Sequence, residues 1–248
     1  VVMKRIIIVL LAVLAVGQFC SGQDALRVPD NDDILSRTID SSSPYYLPSL
    51  MGRYLASGRD LTDQDYYYLY YGYAFSDAYK PFKSIPAEDK LLGIMEAAGG
   101  NPTVSQMEEV VKYGLEVMKD DPFSPKNLNF LAYAYGALGD TIAERDYFER
   151  LNHVLRTIDL SGTGVKESSP KHILRYSHAA DLLYSKGLDI KRREVVSRTA
   201  EFIFLPVKDA AGNKGYYFDF SRLYQVRPDE NETPKKERGW QINDMPLK

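Results

Sequence analysis

Cysteine and histidine are scarce in this chain of 248 residues, which has one cysteine and three histidines. The single cysteine, Cys20, cannot form an internal disulfide, and no cysteine cluster is present that could hold zinc. His172 and His178 are six residues apart, which places them on different sides of a predicted helix, and His153 lies farther away in the sequence. No His-Glu-x-x-His motif occurs. We therefore predict surface or packing roles for the histidines, no metal site and no cofactor.

An excess of positive charge is also absent. The formal net charge is −3 at pH 7, and the charged residues, 26% of the chain, are mixed along its length. Proteins that bind nucleic acids usually present a basic face. Nucleic acid is therefore not an expected partner.

Recognisable catalytic motifs are missing as well. Residues 161–164, Ser-Gly-Thr-Gly, lack the Gly-x-Ser-x-Gly pattern of a nucleophile elbow, and residues 212–215 lack the Walker spacing of a phosphate-binding loop. Carboxylates adjacent in sequence, such as Glu108 and Glu109, point apart on a helix. A glycosidase needs two carboxylates facing each other across a cleft, which the sequence leaves open. We predict no catalytic residue and a non-enzymatic protein, with a hydrolase whose site is not recognisable as an alternative.

A long hydrophobic run occurs at the start of the chain, from Ile6 to Val16, behind Lys4 and Arg5. A basic start, a short apolar run and a small-residue end are typical of a secretory signal peptide. The run is shorter than the roughly 20 residues that span a bilayer. We predict a signal peptide at 1–22, export to the periplasm or cell envelope, and no transmembrane span in the mature chain. Lipidation of Cys20 after cleavage in front of it is the alternative, although Phe19 is larger than the residue usual there.

Signals for helix starts and ends dominate the middle of the chain. Thr103 and Gln106 fit a capping box, and Ser124–Pro125 fits an N-cap followed by a proline at the first helical position. Gly139 is predicted to end a helix, because glycine readily adopts the left-handed conformation common just after a helix, and Asp140 is predicted to begin the next one. Apolar residues recur at helical spacing in three stripes that should be buried: Met107, Val110, Val111, Leu115 and Met118; Leu128, Leu131, Ala132 and Tyr135; Ile142, Phe148, Leu151, Leu155 and Ile158.

Similar signals divide the rest of the chain. A polar lead-in segment, 23–43, with one short helix near Ile34, precedes a single domain at 44–226. Further predicted helices run over 48–58, 62–79, 86–99 and 169–187. Beyond about residue 193, β-branched and aromatic residues over 195–205 and the alternation of Tyr216, Phe218 and Phe220 predict a β-hairpin at about 194–222. The polar end, 227–248, is predicted to be a flexible tail.

Tyrosine is abundant, with 19 residues that are densest between Tyr66 and Phe75. Rings on a helical surface could stack on sugars or clamp a peptide, and the same rings could fill the space between helices. Two adjacent aromatic faces on one helix favour burial. We take four tyrosines as candidate ligand-binding residues: Tyr67, Tyr71, Tyr133 and Tyr135.

Four motifs are distinctive: Tyr46-Leu47-Pro48, the run Leu69–Tyr73, the run Tyr79–Phe82 and the closing Tyr217–Asp219. Together they resemble an uncharacterised family of exported Bacteroidetes proteins, domain of unknown function 4919. The resemblance covers most of residues 44–224, and its tyrosine-glycine-tyrosine segment is the most distinctive part. It implies a mostly helical, tetratricopeptide-like body in the cell envelope. It brings no activity, cofactor or catalytic residue.

The predicted fold is mostly α, with tetratricopeptide-like antiparallel helix pairs in an α-α superhelix and a C-terminal β-hairpin. The repeat period of about 34 residues is not cleanly repeated, and only the unit at 103–158 is convincing. Stacked helices usually form binding surfaces. Our hypothesis is therefore an exported scaffold that binds protein or peptide partners in the cell envelope. The alternatives are a carbohydrate-binding accessory protein using surface tyrosines, the hydrolase, and a purely structural accessory.

Overall fold

The structure, a computed structural model, describes residues 25–99 and 101–224, and within them the chain forms eight α-helices and four strands. The helices are α1 (Asn31–Ile39), α2 (Leu47–Ala56), α3 (Asp63–Tyr73), α4 (Pro86–Ala98), α5 (Val104–Val117), α6 (Pro125–Ala137), α7 (Thr141–Asp159) and α8 (Tyr176–Ser185). The strands are β1 (Lys171–His172), β2 (Arg192–Val195), β3 (Ala200–Phe204) and β4 (Gly215–Asp219), and a 3-10 helix covers Ser221–Tyr224. The predicted signal peptide, Cys20 and the predicted tail lie outside these residues.

The helix starts predicted at Thr62, Thr103 and Ser124–Pro125 are confirmed in atomic detail. The capping box of Thr103 and Gln106 begins α5, and a second capping box, of Thr62 and Asp65, begins α3. Pro125 occupies the start of α6 behind its N-cap, and Gly139 follows that helix with a φ of +84°. These ends form where they do because a side chain or a glycine satisfies the backbone groups that a helix end leaves unpaired.

Helices α4, α5, α6 and α7 pack against one another in chain order. Met107, Leu131 and Leu151, the central members of the three predicted stripes, are buried. Leu115 and Ile142 are exposed, so the prediction that these two members of the stripes are buried is wrong. No helix in the described part of the chain is long and apolar enough to cross a membrane.

Two predicted helix boundaries are wrong. Helix α3 ends at Tyr73, before the predicted end at Tyr79, because the Ser76 hydroxyl donates to the Tyr73 carbonyl and the chain turns there. Pro170 precedes the strand β1, and α8 begins only at Tyr176. In β1 the Lys171 ammonium lies 2.7 Å from the Asp159 carbonyl and 2.8 Å from the Gly162 carbonyl. Partners from distant parts of the chain therefore override the local helical pattern.

The predicted hairpin exists, but it belongs to a four-stranded sheet in the order β1-β4-β3-β2. Strands β3 and β4 pair antiparallel, β2 pairs antiparallel with β3, and β1 pairs parallel with β4. Of the strand predicted over 195–205, residues 200–204 form β3, whereas residues 196–199 form a turn in which the Val196 amide donates to the Ala200 carbonyl, and β2 precedes that turn. Ile203 and Phe218 lie on the face of the sheet that joins the core.

Two hydrophobic clusters form the interior of the described residues. The larger core joins α1, α2, α3, α6, α7, α8 and the sheet, and it is rich in tyrosine. The smaller core lies between α4, α5 and α6 and consists mainly of aliphatic side chains. Helix α3 lies inside the larger core, so its tyrosine side chains pack in the interior.

Candidate binding surface

Helix α3 is buried over most of its length, since all eight residues from Tyr66 to Tyr73 are buried. Its rings contact one another and neighbouring segments edge to face, as in the pair Tyr70 and Tyr71, whose centroids are 5.0 Å apart. Such edge contacts are favourable for aromatic rings. The rings therefore fill the space between helices.

The candidates Tyr67 and Tyr71 lie side by side, with ring centroids 5.5 Å apart. Tyr71 is fully buried, and its hydroxyl lies 3.3 Å from the carbonyls of both Thr157 and His172. Tyr67 is 9% exposed and accepts a hydrogen bond from the backbone amide of Asp30. It lines a cleft of about 10 Å³, far below the usual range of ligand pockets, with Arg27, Asp63, Arg156, Thr157 and Leu160.

The candidates Tyr133 and Tyr135 are half-buried on α6 and pack against different cores. Tyr133 contacts the smaller core, whereas Tyr135 contacts the larger one and stacks on Tyr147 with centroids 5.4 Å apart. The four candidate tyrosines thus do not share one surface. Ligand binding at them stays a prediction, and only Tyr133 and Tyr135 expose enough of their rings for a ligand to contact them directly.

A buried polar chain runs from Tyr70 through His178 to Asp121. The Tyr70 hydroxyl lies 2.8 Å from His178 Nδ1, and His178 Nε2 lies 3.3 Å from Asp121 Oδ2. Burial alone would raise the pKa of Asp121, but His178 and Arg175 lower it below its usual range. Burial raises the pKa of Tyr70. All three side chains are buried, so this arrangement fixes α3 and α8 to the loop at residue 121.

The other two histidines also have structural partners. His153 stacks on Tyr66 and lies 2.8 Å from an Asp63 carboxylate oxygen. His172 lies in β1 and not on a helix with His178, and its Nδ1 is 3.4 Å from Asp219 Oδ1. Within the described residues no group of three or more His, Cys, Asp or Glu side chains could hold a metal ion.

Aromatic rings reach solvent at a different place, where three segments distant in sequence meet. Phe82, in the loop after α3, is 62% exposed, and Tyr224, in the 3-10 helix, is 61% exposed. Their ring centroids are 6.1 Å apart. Behind them Tyr176 and Phe220 pack at 5.3 Å, and the hydroxyls of Tyr176 and Tyr224 are 3.3 Å apart. We call Phe82, Tyr176, Phe220 and Tyr224 the aromatic surface.

The loop that carries Phe82 is held by a half-buried guanidinium. Arg175 Nη1 donates to the Pro81 carbonyl at 3.0 Å, and its Nη2 donates to the carbonyls of Lys80 and Asp120, each at 2.9 Å. The Tyr79 hydroxyl adds a bond of 2.6 Å to the Leu174 carbonyl. Because charged hydrogen bonds are stronger than neutral ones, this loop is fixed although its tip is exposed.

The aromatic surface continues to the sheet through Tyr176. Both Nη atoms of Arg193, in β2, lie 3.3 Å from the Tyr176 carbonyl, and Nη1 lies 3.4 Å from a Glu201 carboxylate oxygen. Burial raises the pKa of Glu201, and Arg193 opposes that shift. Burial and the contact with Tyr224 raise the pKa of Tyr176 to about 12, so the Tyr176 hydroxyl is protonated at neutral pH. This surface is apolar in its centre and basic at its edge.

Comparison with known families identifies the chain. Residues 32–228 match the model of a family described as a domain of unknown function, DUF4919. The chain belongs to the DUF4919 family. Searches of curated proteins and of solved structures find no match to it. The whole aromatic surface of this DUF4919 protein lies within the matched residues.

Sequence reasoning missed the aromatic surface of this DUF4919 protein. Phe82 belongs to the motif that carries the family resemblance, but a motif does not show whether a ring faces solvent. Tyr176 lies within the helix predicted over 169–187, and the sequence predicts no role for Tyr224. The surface depends on segments near residues 82, 176 and 220–224 coming together, and no local pattern signals that.

Proposed function

We propose that this protein is a non-enzymatic exported scaffold that binds protein or peptide partners in the cell envelope, and that the aromatic surface makes the contact. The observation that carries the proposal is the pair Phe82 and Tyr224. Both rings are mostly exposed, they contact each other, and they rest on a support fixed by Arg175.

Exposed aromatic rings on a fixed support are suited to protein binding. Aromatic residues and arginine are enriched in protein interfaces, and a few of them usually supply most of the binding energy. Rings that are already held in place lose little conformational entropy when a partner covers them. The buried Phe220 packs against Tyr224 with ring centroids 5.8 Å apart and limits the movement of that ring.

The finer parts of the proposal concern architecture and location. We propose a tetratricopeptide-like arrangement of the helices, which the packing of α4 to α7 in chain order supports. Membership in DUF4919 supports a shared envelope role with the exported Bacteroidetes proteins that the sequence resembles. Fractionation of cells that produce the full chain tests location, and loss of radiolabelled fatty acid in Cys20→Ser tests the lipid anchor. Recovery of the full-length chain in the cytosol would contradict export.

Site-specific photocrosslinking tests partner binding directly. A photoreactive phenylalanine replaces Phe82 or Tyr224 in the full chain, and Leu55, which is 55% exposed on α2, serves as the matched control position. We expect covalent protein adducts from both sites and none above background from Leu55. Phe82→Ala should weaken binding of the crosslinked partner about tenfold or more.

The alternatives give different results in the same experiment. Equal crosslinking from all three positions would contradict a binding role for the aromatic surface. A glycan array that binds the protein, and loses that binding in Phe82→Ala, would favour the carbohydrate-binding alternative over a protein partner. Exposed aromatic rings serve sugars as well as peptides, so the array is needed to separate the two.

A further inference from the structure

Strand β2 forms one edge of the sheet and all four of its residues are exposed. Its neighbour on one side is β3, and Val195 at its end is 69% exposed. An edge strand presents a row of unpaired backbone groups, which another extended chain can bond. Within residues 25–99 and 101–224, β3 is the one strand that pairs with β2, so the outer edge of β2 is open to strand addition there.

The register identifies which backbone groups point outward. Two backbone bonds flank the pairing of β3 with β4: the Leu205 amide donates to the Lys214 carbonyl, and the Phe220 amide donates to the Thr199 carbonyl. The backbone N–H and C=O groups of odd-numbered residues in β3 therefore point toward β4. Even-numbered residues of β3 therefore face β2, as the bond from Val196 to the Ala200 carbonyl shows. Hydrogen-bonding direction alternates along antiparallel strands, so the peptide groups of Arg193 and Val195 point away from β3.

The charge of this edge determines what can bind there. Residues 191–198 include Lys191, Arg192, Arg193 and Arg198 against the single carboxylate of Glu194. Glu194 lies 2.5 Å from Arg192, and Glu201 of β3 lies 3.4 Å from Arg193, so the four basic side chains outnumber the two carboxylates and the edge keeps a net positive charge. A second copy of the chain would bring two such basic strands together, and like charges on paired strands are unfavourable. An acidic strand would have opposite charge along the same edge.

We propose that an extended acidic segment of a partner protein adds to β2 as a fifth strand. This inference rests on the proposed protein-binding function and names the chemistry of the partner. The segment bonds the outward peptide groups of Arg193 and Val195 and pairs its carboxylates with the basic side chains of residues 191–198. It lies next to the aromatic surface, because Arg193 bonds the Tyr176 carbonyl.

The test uses the full chain and a short acetylated peptide of alternating glutamate and valine. We expect the peptide to bind and to slow hydrogen exchange at the amides of Arg193 and Val195, while Glu194, whose amide faces β3, changes little. A peptide with lysine in place of glutamate, and one N-methylated at alternate amides, should bind about tenfold more weakly or not at all.

A matched pair of variants isolates the backbone contribution. Val195→Pro removes an outward amide without removing a bond to β3, a position at which an edge strand tolerates proline. It should weaken peptide binding about tenfold, whereas Val195→Thr keeps the amide and should stay within about twofold of the parent. Circular dichroism of both variants confirms that the fold is retained.

Several results would overturn the inference. These are failure of the acidic peptide to bind, equal binding of the lysine peptide, or binding that Val195→Pro leaves unchanged. Slow hydrogen exchange at the amides of Arg193 and Val195 in the free protein would show that another strand already covers this edge. That strand would come from a second copy of the chain if the protection rises with protein concentration, and from the same chain if it does not. If the peptide tests fail while crosslinking from Phe82 persists in the parent chain, strand addition is rejected and the proposed function stands.

Discussion

Two groups of aromatic side chains in this protein have opposite surroundings. The tyrosines of α3 are buried, and most of their hydroxyls bond partners from distant segments, such as His178 for Tyr70. Phe82 and Tyr224 of the aromatic surface are mostly exposed, and their support comes from Arg175 and Phe220 behind them. The difference shows that the density of tyrosine in the sequence marks the interior and not the binding face.

The two groups should also respond differently to substitution. A buried tyrosine supplies both packing and a hydrogen bond, so its loss should appear as a loss of stability. An exposed ring supplies little to the folded state, so its loss should appear in binding. Each of the following predictions tests one side of this contrast.

The largest effect should follow Tyr70→Ala. It removes a ring that packs against Tyr71 and Phe123 and a hydroxyl that contacts His178 and the Leu174 amide. We expect the free energy of unfolding to fall by about 3–5 kcal/mol. Tyr70→Phe should cost about 1–3 kcal/mol, because the ring stays and two buried polar groups lose a partner.

Urea unfolding followed by far-UV circular dichroism measures both variants. The alanine variant must be clearly less stable than the phenylalanine variant if packing and hydrogen bonding both contribute. Equal stability of Tyr70→Ala and the parent chain would contradict the assignment of α3 to the interior.

A smaller effect should follow Gly72→Ala, also in α3. An added Cβ would lie 2.6 Å from Thr38 Cγ2, so α1 must shift away from α3. We expect a loss of about 1–3 kcal/mol. Gly93→Ala, on α4, is the matched control: its Cβ meets nothing within 4 Å, and alanine favours a helix by up to about 1 kcal/mol over glycine.

Opposite signs for the two glycine variants in thermal or urea unfolding would support the close contact of α1 with α3. A stabilising Gly72→Ala would show that α1 can move away without cost. In that case α3 would not be enclosed on its α1 side.

Acidification tests a carboxyl group beside the polar chain of the larger core. Burial raises the pKa of Asp181 to about 6, although Lys126 and His178 oppose the shift. The folded state therefore binds a proton more readily than the unfolded state, whose pKa is near 3.8. The stabilisation from this proton is complete below about pH 3.8 and is lost as the pH rises through 6.

Asp181→Asn should remove this dependence. We expect the variant to gain on the order of 1 kcal/mol over the parent at pH 7 and to lose that advantage near pH 4. Urea titrations at several pH values measure the difference. A constant difference between pH 4 and 7 would contradict the raised pKa of Asp181.

The accuracy of the sequence predictions follows the range of the interactions involved. Helix starts such as Thr103 with Gln106 were predicted correctly because their partners lie three residues away. Strand β1 was missed because Lys171 and His172 pair with Phe218 and Asp219, far along the chain. The mostly helical fold was therefore predictable, and the complete sheet was not.

The candidate site was less predictable for a related reason. Tyr67 and Tyr71 stood out by composition, and their burial depends on packing against α7 and the segment before α1. Phe82, Tyr176 and Tyr224 are separated by about half the chain and meet only after folding. Solvent exposure of one ring is a property of the whole fold, so a local pattern cannot indicate it.

The smallest effect on stability should follow Phe82→Ala. The ring is 62% exposed, and its described aromatic contact is with Tyr224, which is exposed as well. We expect the free energy of unfolding to change by no more than about 0.5 kcal/mol, measured by urea unfolding next to Tyr70→Ala. A loss of several kcal/mol would place Phe82 in the core, and the contrast between the two aromatic groups would fail. If Phe82→Ala leaves the free energy of unfolding unchanged but abolishes crosslinking from position 224, the Phe82 ring contributes to binding and not to the stability of the fold.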